Sequence, residues 1–171
     1  TIGEPTIGEK IIEVWKASIL SGLTTHMANI TGNTMSLAMS LPERAIAAAI
    51  GKMRGSQAGE RVELAETHAL GTGMVRGVMD GLKLAGETLM GRAPLSDKID
   101  QPRGAIKGKA GEIVRIPFKA LSAGDALFRT MAERGELYAQ AVRAAHKEGL
   151  APTTREFNVR VEEMVQNPTE A

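Results

Sequence analysis

The sequence predicts an all-α fold, an elongated helical assembly of about five helices, and three observations carry that prediction. Apolar residues recur at helical spacing over most of the chain, with Ile113-Val114-Arg115-Ile116 as the one β-like tetrad. Small residues occupy every fourth position through the middle of the chain, at Ala65, Ala69, Gly73, Gly77, Gly81 and Ala85. Finally, 171 residues hold one Trp, one Tyr and three Phe against 19 Gly and 9 Met. That mixture suits long, adaptable helices held against partners better than an aromatic core, because methionine is flexible and fills irregular gaps.

Taken in order, residues 1–8 read as a lead-in that repeats Thr-Ile-Gly-Glu. From Glu9, Ile11, Ile12, Trp15, Ile19 and Leu20 fall on a helix, with Gly22 as its stop. A second helix is expected over Thr24–Leu41, with a possible break at Gly32-Asn33. Proline is best tolerated in a first turn, so Pro42-Glu43-Arg44 should open a third helix, fraying at Gly55-Ser56-Gln57. The small-residue helix follows from about Gly59 to Met90. Residues 92–117, with Pro94, Pro102 and Pro117, read as a long surface loop. Helical spacing returns from Phe118 and ends at Gly149 before Pro152. Thr153-Thr154-Arg155-Glu156 has the pattern of a capping box for a short last helix. The expected organisation is therefore 1–91, N-terminal helices; 92–117, a basic linker; and 118–171, C-terminal helices.

The small-residue row points to helix packing. A glycine inside a helix costs about 1 kcal/mol relative to alanine, so Gly73, Gly77 and Gly81 together cost roughly 3 kcal/mol. Close approach of another helix along the bare ridge is the usual compensation. The expected interface is thus Ala65, Ala69, Gly73, Gly77, Gly81 and Ala85. A shorter row, Ala47, Gly51, Gly55 and Gly59, precedes it.

Charge and composition narrow the chemistry. A net charge of +1 gives no global pull toward nucleic acid or anionic lipid. There is no cysteine, so disulfide and thiolate chemistry are excluded. His26, His68 and His146 are scattered without metal-ligand spacing, and Gly71-Thr72-Gly73 follows no strand; no catalytic, cofactor or metal residue is expected. Ala17–Pro42 contains no Asp, Glu, Lys or Arg across 26 residues. That is long enough to cross a bilayer, but its Thr, Asn and Ser content favours a buried helix–helix element, with conditional membrane insertion as the alternative. From Arg103 to Lys119 the chain carries Arg103, Lys107, Lys109, Arg115 and Lys119 against the single Glu112, with glycines at 104, 108 and 111. This is a candidate phosphate-contacting stretch, without the aromatics that base stacking needs.

Three stretches read together carry a resemblance. They are Trp15-Lys16-Ala17-Ser18-Ile19-Leu20-Ser21-Gly22 with Thr25-His26 and Asn29; Pro42-Glu43-Arg44-Ala45 with Gly51; and Leu121-Ser122-Ala123-Gly124-Asp125-Ala126-Leu127-Phe128-Arg129-Thr130 with Arg134-Gly135-Glu136-Leu137-Tyr138-Ala139-Gln140-Ala141. Their order, over roughly residues 10–150, resembles a helical region of the giant internal virion (ejection) proteins of tailed bacteriophages, among the large polyvalent phage proteins. Asp125 and Phe128 match that family's Ala-Asp-x-x-Phe setting, with Gly124 in place of the alanine.

The resemblance implies a non-enzymatic, multimeric segment of a virion protein that assists genome delivery across the host envelope, without cofactors. Implied partners are further copies, portal, tail or other ejection proteins, packaged DNA, and the host membrane after ejection. A helical accessory region of a virion-packaged RNA polymerase, with catalysis elsewhere in the parent chain, is the alternative. The start at Thr-Ile-Gly-Glu-Pro, without an initiator Met, reads as a piece of a longer polypeptide.

Overall fold

The computed structural model describes residues 4–56, 61–93 and 105–168, which are all-α: six helices and no strand among them. The helices are α1 (Ile7–Leu20), α2 (Leu23–Met53), α3 (Leu64–Leu89), α4 (Gly108–Val114), α5 (Ile116–Lys147) and α6 (Arg155–Gln166). They form two compact units, each built from two separate stretches of chain. The first combines Thr1–Asn33 with Gly81–Phe128, and the second Thr34–Asp80 with Arg129–Ala171.

Several local expectations need correction. The Thr-Ile-Gly-Glu at 6–9 is a capping box, not lead-in: Glu9 N donates to Thr6 Oγ1 at 3.3 Å and Thr6 N to Glu9 Oε2 at 2.8 Å. Neither Gly32 nor Pro42 interrupts α2. Pro42 and Ala38, whose carbonyl loses its usual N–H donor, are both exposed, so the lost bond falls where water reaches it. α3 begins at Leu64; residues 57–60, including Gly59, lie outside the described residues. The linker is not all loop, since α4 occupies its end and α5 starts at Ile116, so Ile113, Val114 and Ile116 of the β-like tetrad are helical and Arg115 is the turn between them. At α6 the N-cap is Thr154, one residue later than the pattern suggested: its Oγ1 accepts from Phe157 N at 3.2 Å. Gly149 ends α5 with φ +80°, a left-handed turn that favours glycine, and Leu150 N reaches back to Ala145 O at 3.1 Å.

The first unit centres on Phe118, fully buried with Ala105, Ser122, Ala123 and Ala126. There α1 lies with its polar side inward. Glu13, 2% exposed, accepts from Ile106 N at 2.9 Å and Arg115 Nε at 3.1 Å, while Arg115 Nη2 donates to Ile106 O at 2.6 Å. Glu13 and Ala17 are the only buried residues of α1.

The second unit holds the larger core. Ala69 of α3, Tyr138, Ala141, Val142 and Ala145 of α5, and Phe157, Val161, Met164 and Val165 of α6 form one cluster. Leu70, Met74 and Ala139 form another, covered by Leu37 and Leu41 of α2. Glu66 is fully buried beside this core. It accepts from Arg143 Nη2 at 2.6 Å and Nε at 3.1 Å and from Glu63 N at 3.0 Å, with Arg44 Nη1 3.8 Å away. The Glu66 carboxylate holds Arg143 further above its usual pKa, against the opposing effect of burial. Arg44 also clamps Glu136 with one nitrogen on both oxygens, at 2.6 and 2.8 Å. Arg76 bridges Tyr138 and Glu162, and its guanidinium lies 5.0 Å from the Tyr138 ring centre.

A buried carboxylate is costly once its partner is removed. Arg143→Ala should therefore destabilise the protein by about 2 kcal/mol or more, discounted from the fully buried case because Arg143 is itself partly exposed. Urea unfolding of this variant against wild type measures it; a change below about 0.5 kcal/mol would place Glu66 in a wetter setting than this fold gives it.

Candidate functional site

The small-residue row lies in α3, and its four central members, Ala69, Gly73, Gly77 and Gly81, are buried, while Ala65 and Ala85 are half-buried. In the second unit the glycines meet the backbone of α5. A Cβ built on Gly73 would stand 2.4 Å from Arg134 O and 2.9 Å from Gly135 Cα. On Gly77 it would meet Met131 Cα at 3.0 Å and Thr130 O at 3.1 Å. Gly135 answers from α5: a Cβ there would lie 2.9 Å from Met74 Cγ and 3.0 Å from Leu70 O. The contact is therefore bare on both sides, and side chains larger than hydrogen would force the helices apart. In the first unit Gly81 faces Leu127, whose carbonyl oxygen is 2.9 Å from the Cβ position. Gly135 was not marked by sequence, because the 32-residue α5 holds only Gly124 and Gly135, eleven positions apart, with no small-residue period to reveal the contact.

The shorter row does not form such a ridge. Gly51 packs on the Arg61 side chain, Gly55 caps α2 with φ +72°, and Gly59 lies outside the described residues.

The three stretches read together in the sequence meet in two places. In the first unit His26, Asn29, Ile30 and Asn33 of α2 face Ala120, Leu121, Gly124, Asp125 and Phe128 of α5 across a pocket of about 300 Å³. The Asn29 amide nitrogen donates to Thr25 O at 2.9 Å, which leaves its carbonyl oxygen as an acceptor. Asp125 and Phe128 sit on the same wall. In the second unit Arg44 of the Pro-Glu-Arg-Ala stretch grips Glu136, next to the Gly135 contact. Trp15, by contrast, is 60% exposed and joins neither place.

The uncharged stretch is not the buried element that its composition favoured. Met27, Ile30, Met35 and Met39 are exposed, and Ala48 is the one buried residue of α2. The stretch is also split, because α1 ends at Leu20 and α2 begins at Leu23. Among the described residues no helix is long and apolar enough to cross a membrane.

The basic stretch is divided by the fold. Arg115 is committed to Glu13 and Ile106, and Lys119 is half-buried with its Nζ beside Gly91. Lys107 and Lys109 are exposed, as is Glu112, and Arg103 lies outside the described residues. Among the described residues no group of His, Asp and Glu is arranged to hold a metal ion. No protein-family model matches this chain, and no curated protein or solved structure matches it either.

Two glycines of the same helix give opposite expectations. Gly73→Ala should lower the melting temperature, because its methyl cannot fit against Arg134 O, despite a helix-propensity gain of about 1 kcal/mol. Gly86→Ala, with nothing within 4 Å, should keep that gain. Thermal unfolding that ranks both variants above wild type would contradict the contact.

Proposed function

We propose that this chain is a non-enzymatic helical segment of a phage internal virion (ejection) protein, which acts by associating with copies of itself and with other virion proteins during genome delivery. The observation that carries the reading is the placement of apolar side chains. α1 turns Ile7, Ile11, Val14, Trp15 and Ile19 outward at 48–77% exposure while its Glu13 is buried. α2 adds a further eight large apolar side chains at 44–86% exposure. Monomeric soluble proteins rarely expose contiguous apolar patches beyond a few hundred Å², and larger ones mark interaction surfaces. A chain that seals polar groups inside and offers Ile, Met and Trp outside is suited to assembly.

The resemblance supplies the setting. Exposed Lys107 and Lys109 suit sequence-independent contact with packaged DNA, and the outward face of α1 suits the host membrane after release. A core of Ala, Gly, Val and Met without disulfides is also compatible with unfolding for passage and refolding beyond it. Mass spectrometry of purified particles tests the reading: peptides of this chain should be found in particles and depleted once the genome has been delivered. Peptides abundant in infected cells yet missing from particles would overturn it.

A further inference from the structure

In the first unit two helix stripes face each other without closing. His26, Asn29, Ile30 and Asn33 of α2 stand at i, i+3, i+4 and i+7, the spacing that puts four residues on one side of a helix. Leu121, Gly124, Asp125 and Phe128 of α5 have the same spacing and line the opposite wall. Apolar stripes of this kind pack ridge into groove. Here His and Asn take three of the four α2 positions, and a pocket of about 300 Å³ stands between the helices. Gly124 helps to keep it open. It forgoes the helix propensity of alanine, yet a Cβ built on it would meet nothing within 4 Å. Unlike Gly73 and Gly135 it admits no neighbouring backbone, and its missing side chain leaves pocket space.

The described lining is rich in acceptors and includes neither Lys nor Arg. Asn29 Nδ2 already donates to Thr25 O at 2.9 Å, so this side chain offers the pocket its carbonyl oxygen. Half-buried His26 and Asn33 have no hydrogen-bond partner among the described residues, which is uncommon for polar groups on an inward-facing stripe. Asp125 is half-buried and engaged within the fold, but a carboxylate accepts at about four sites. Ile30, Leu121 and Phe128 supply the apolar remainder, and an aromatic ring also attracts a cation over its face. We propose that this pocket binds a small alkylammonium group, received by Asp125 and the Asn29 carbonyl oxygen, with its short chain against Ile30, Leu121 and Phe128. An ammonium brings three donors and no acceptor, the complement of this lining. A carboxylate or phosphate finds no cation here to pair with. The volume lies at the small end for ligand pockets, which suits a short chain.

The site stands independently of the association proposed above. Titration of the isotopically labelled chain with n-butylammonium, followed by NMR, tests it. Resonances of His26, Asn29, Asn33 and Phe128 should shift with a dissociation constant on the order of 1 mM, within reach of a ligand of so few atoms. Butyrate and 1-butanol should bind at least about tenfold more weakly, the loss expected when one charge-assisted contact is missing. Asp125→Asn, which keeps the shape, should weaken the amine by a similar factor. Gly124→Leu, which fills the pocket, should abolish the shifts with helicity by circular dichroism undiminished. Nα-acetyl-lysine N-methylamide, run in parallel, separates the sources of the group: tighter binding than butylammonium assigns it to a lysine side chain, weaker binding to a free amine. Butanol binding as tightly as butylammonium would overturn the ammonium assignment, as would unchanged affinity in Asp125→Asn. Shifts that persist in Gly124→Leu, or none in the wild type at any amine concentration, would overturn the site.

Discussion

Two helix backbones in direct contact set the terms for the second unit. Gly73 and Gly77 of α3 and Gly135 of α5 carry no Cβ at the contact, so each helix lies within van der Waals reach of the other's main chain. Three glycines in helix interiors cost about 3 kcal/mol of propensity, which many short dispersion contacts must offset. The close approach also brings Glu66 of α3 within 2.6 Å of Arg143 of α5. A buried carboxylate is tolerable only with such a partner, so the ion pair depends on the glycine contact that sets the spacing. α6 then closes the core with Phe157, Val161, Met164 and Val165.

The same economy of side chains explains what is left outside. A core of alanines, with Tyr138 and Phe157 as the aromatics of its main cluster, needs few of the chain's Ile and Met residues. Those residues lie instead on the outer faces of α1 and α2. In α1 the inversion is plain, since the polar side is held by Glu13 on Arg115 and Ile106 N while the apolar side is exposed. The fold commits these charged contacts to internal geometry and leaves its apolar side chains exposed.

How much of this was legible varied with the signal. The α3 row was readable because its period of four is visible in any one helix, whereas its counterpart Gly135 is a single residue whose meaning depends on a partner 60 positions away. The helical character of the chain followed from spacing, but continuity through Gly32 and Pro42 did not, because propensity cannot tell whether a lost hydrogen bond faces water. The Thr-Ile-Gly-Glu echo concealed a cap, since a capping box at 6–9 and its repeat at 1–4 are identical as strings. For the uncharged stretch, composition reported low polarity and said nothing about which side of a helix would find a neighbour. The pocket was illegible as such: His26 and Asp125 are almost a hundred residues apart, and only the fold sets them on facing walls.

The central claim is that the bare α3–α5 contact is the most stable part of the second unit, and native-state hydrogen exchange tests it most directly. Amides of Gly73–Gly77 and Met131–Gly135 should exchange only through global unfolding, with the full dependence on denaturant. Those of α1 and of the exposed start of α2 should open locally and sooner. Exchange at Gly73–Gly77 as fast as in α1, without denaturant dependence, would show that glycine has loosened α3 rather than seated it.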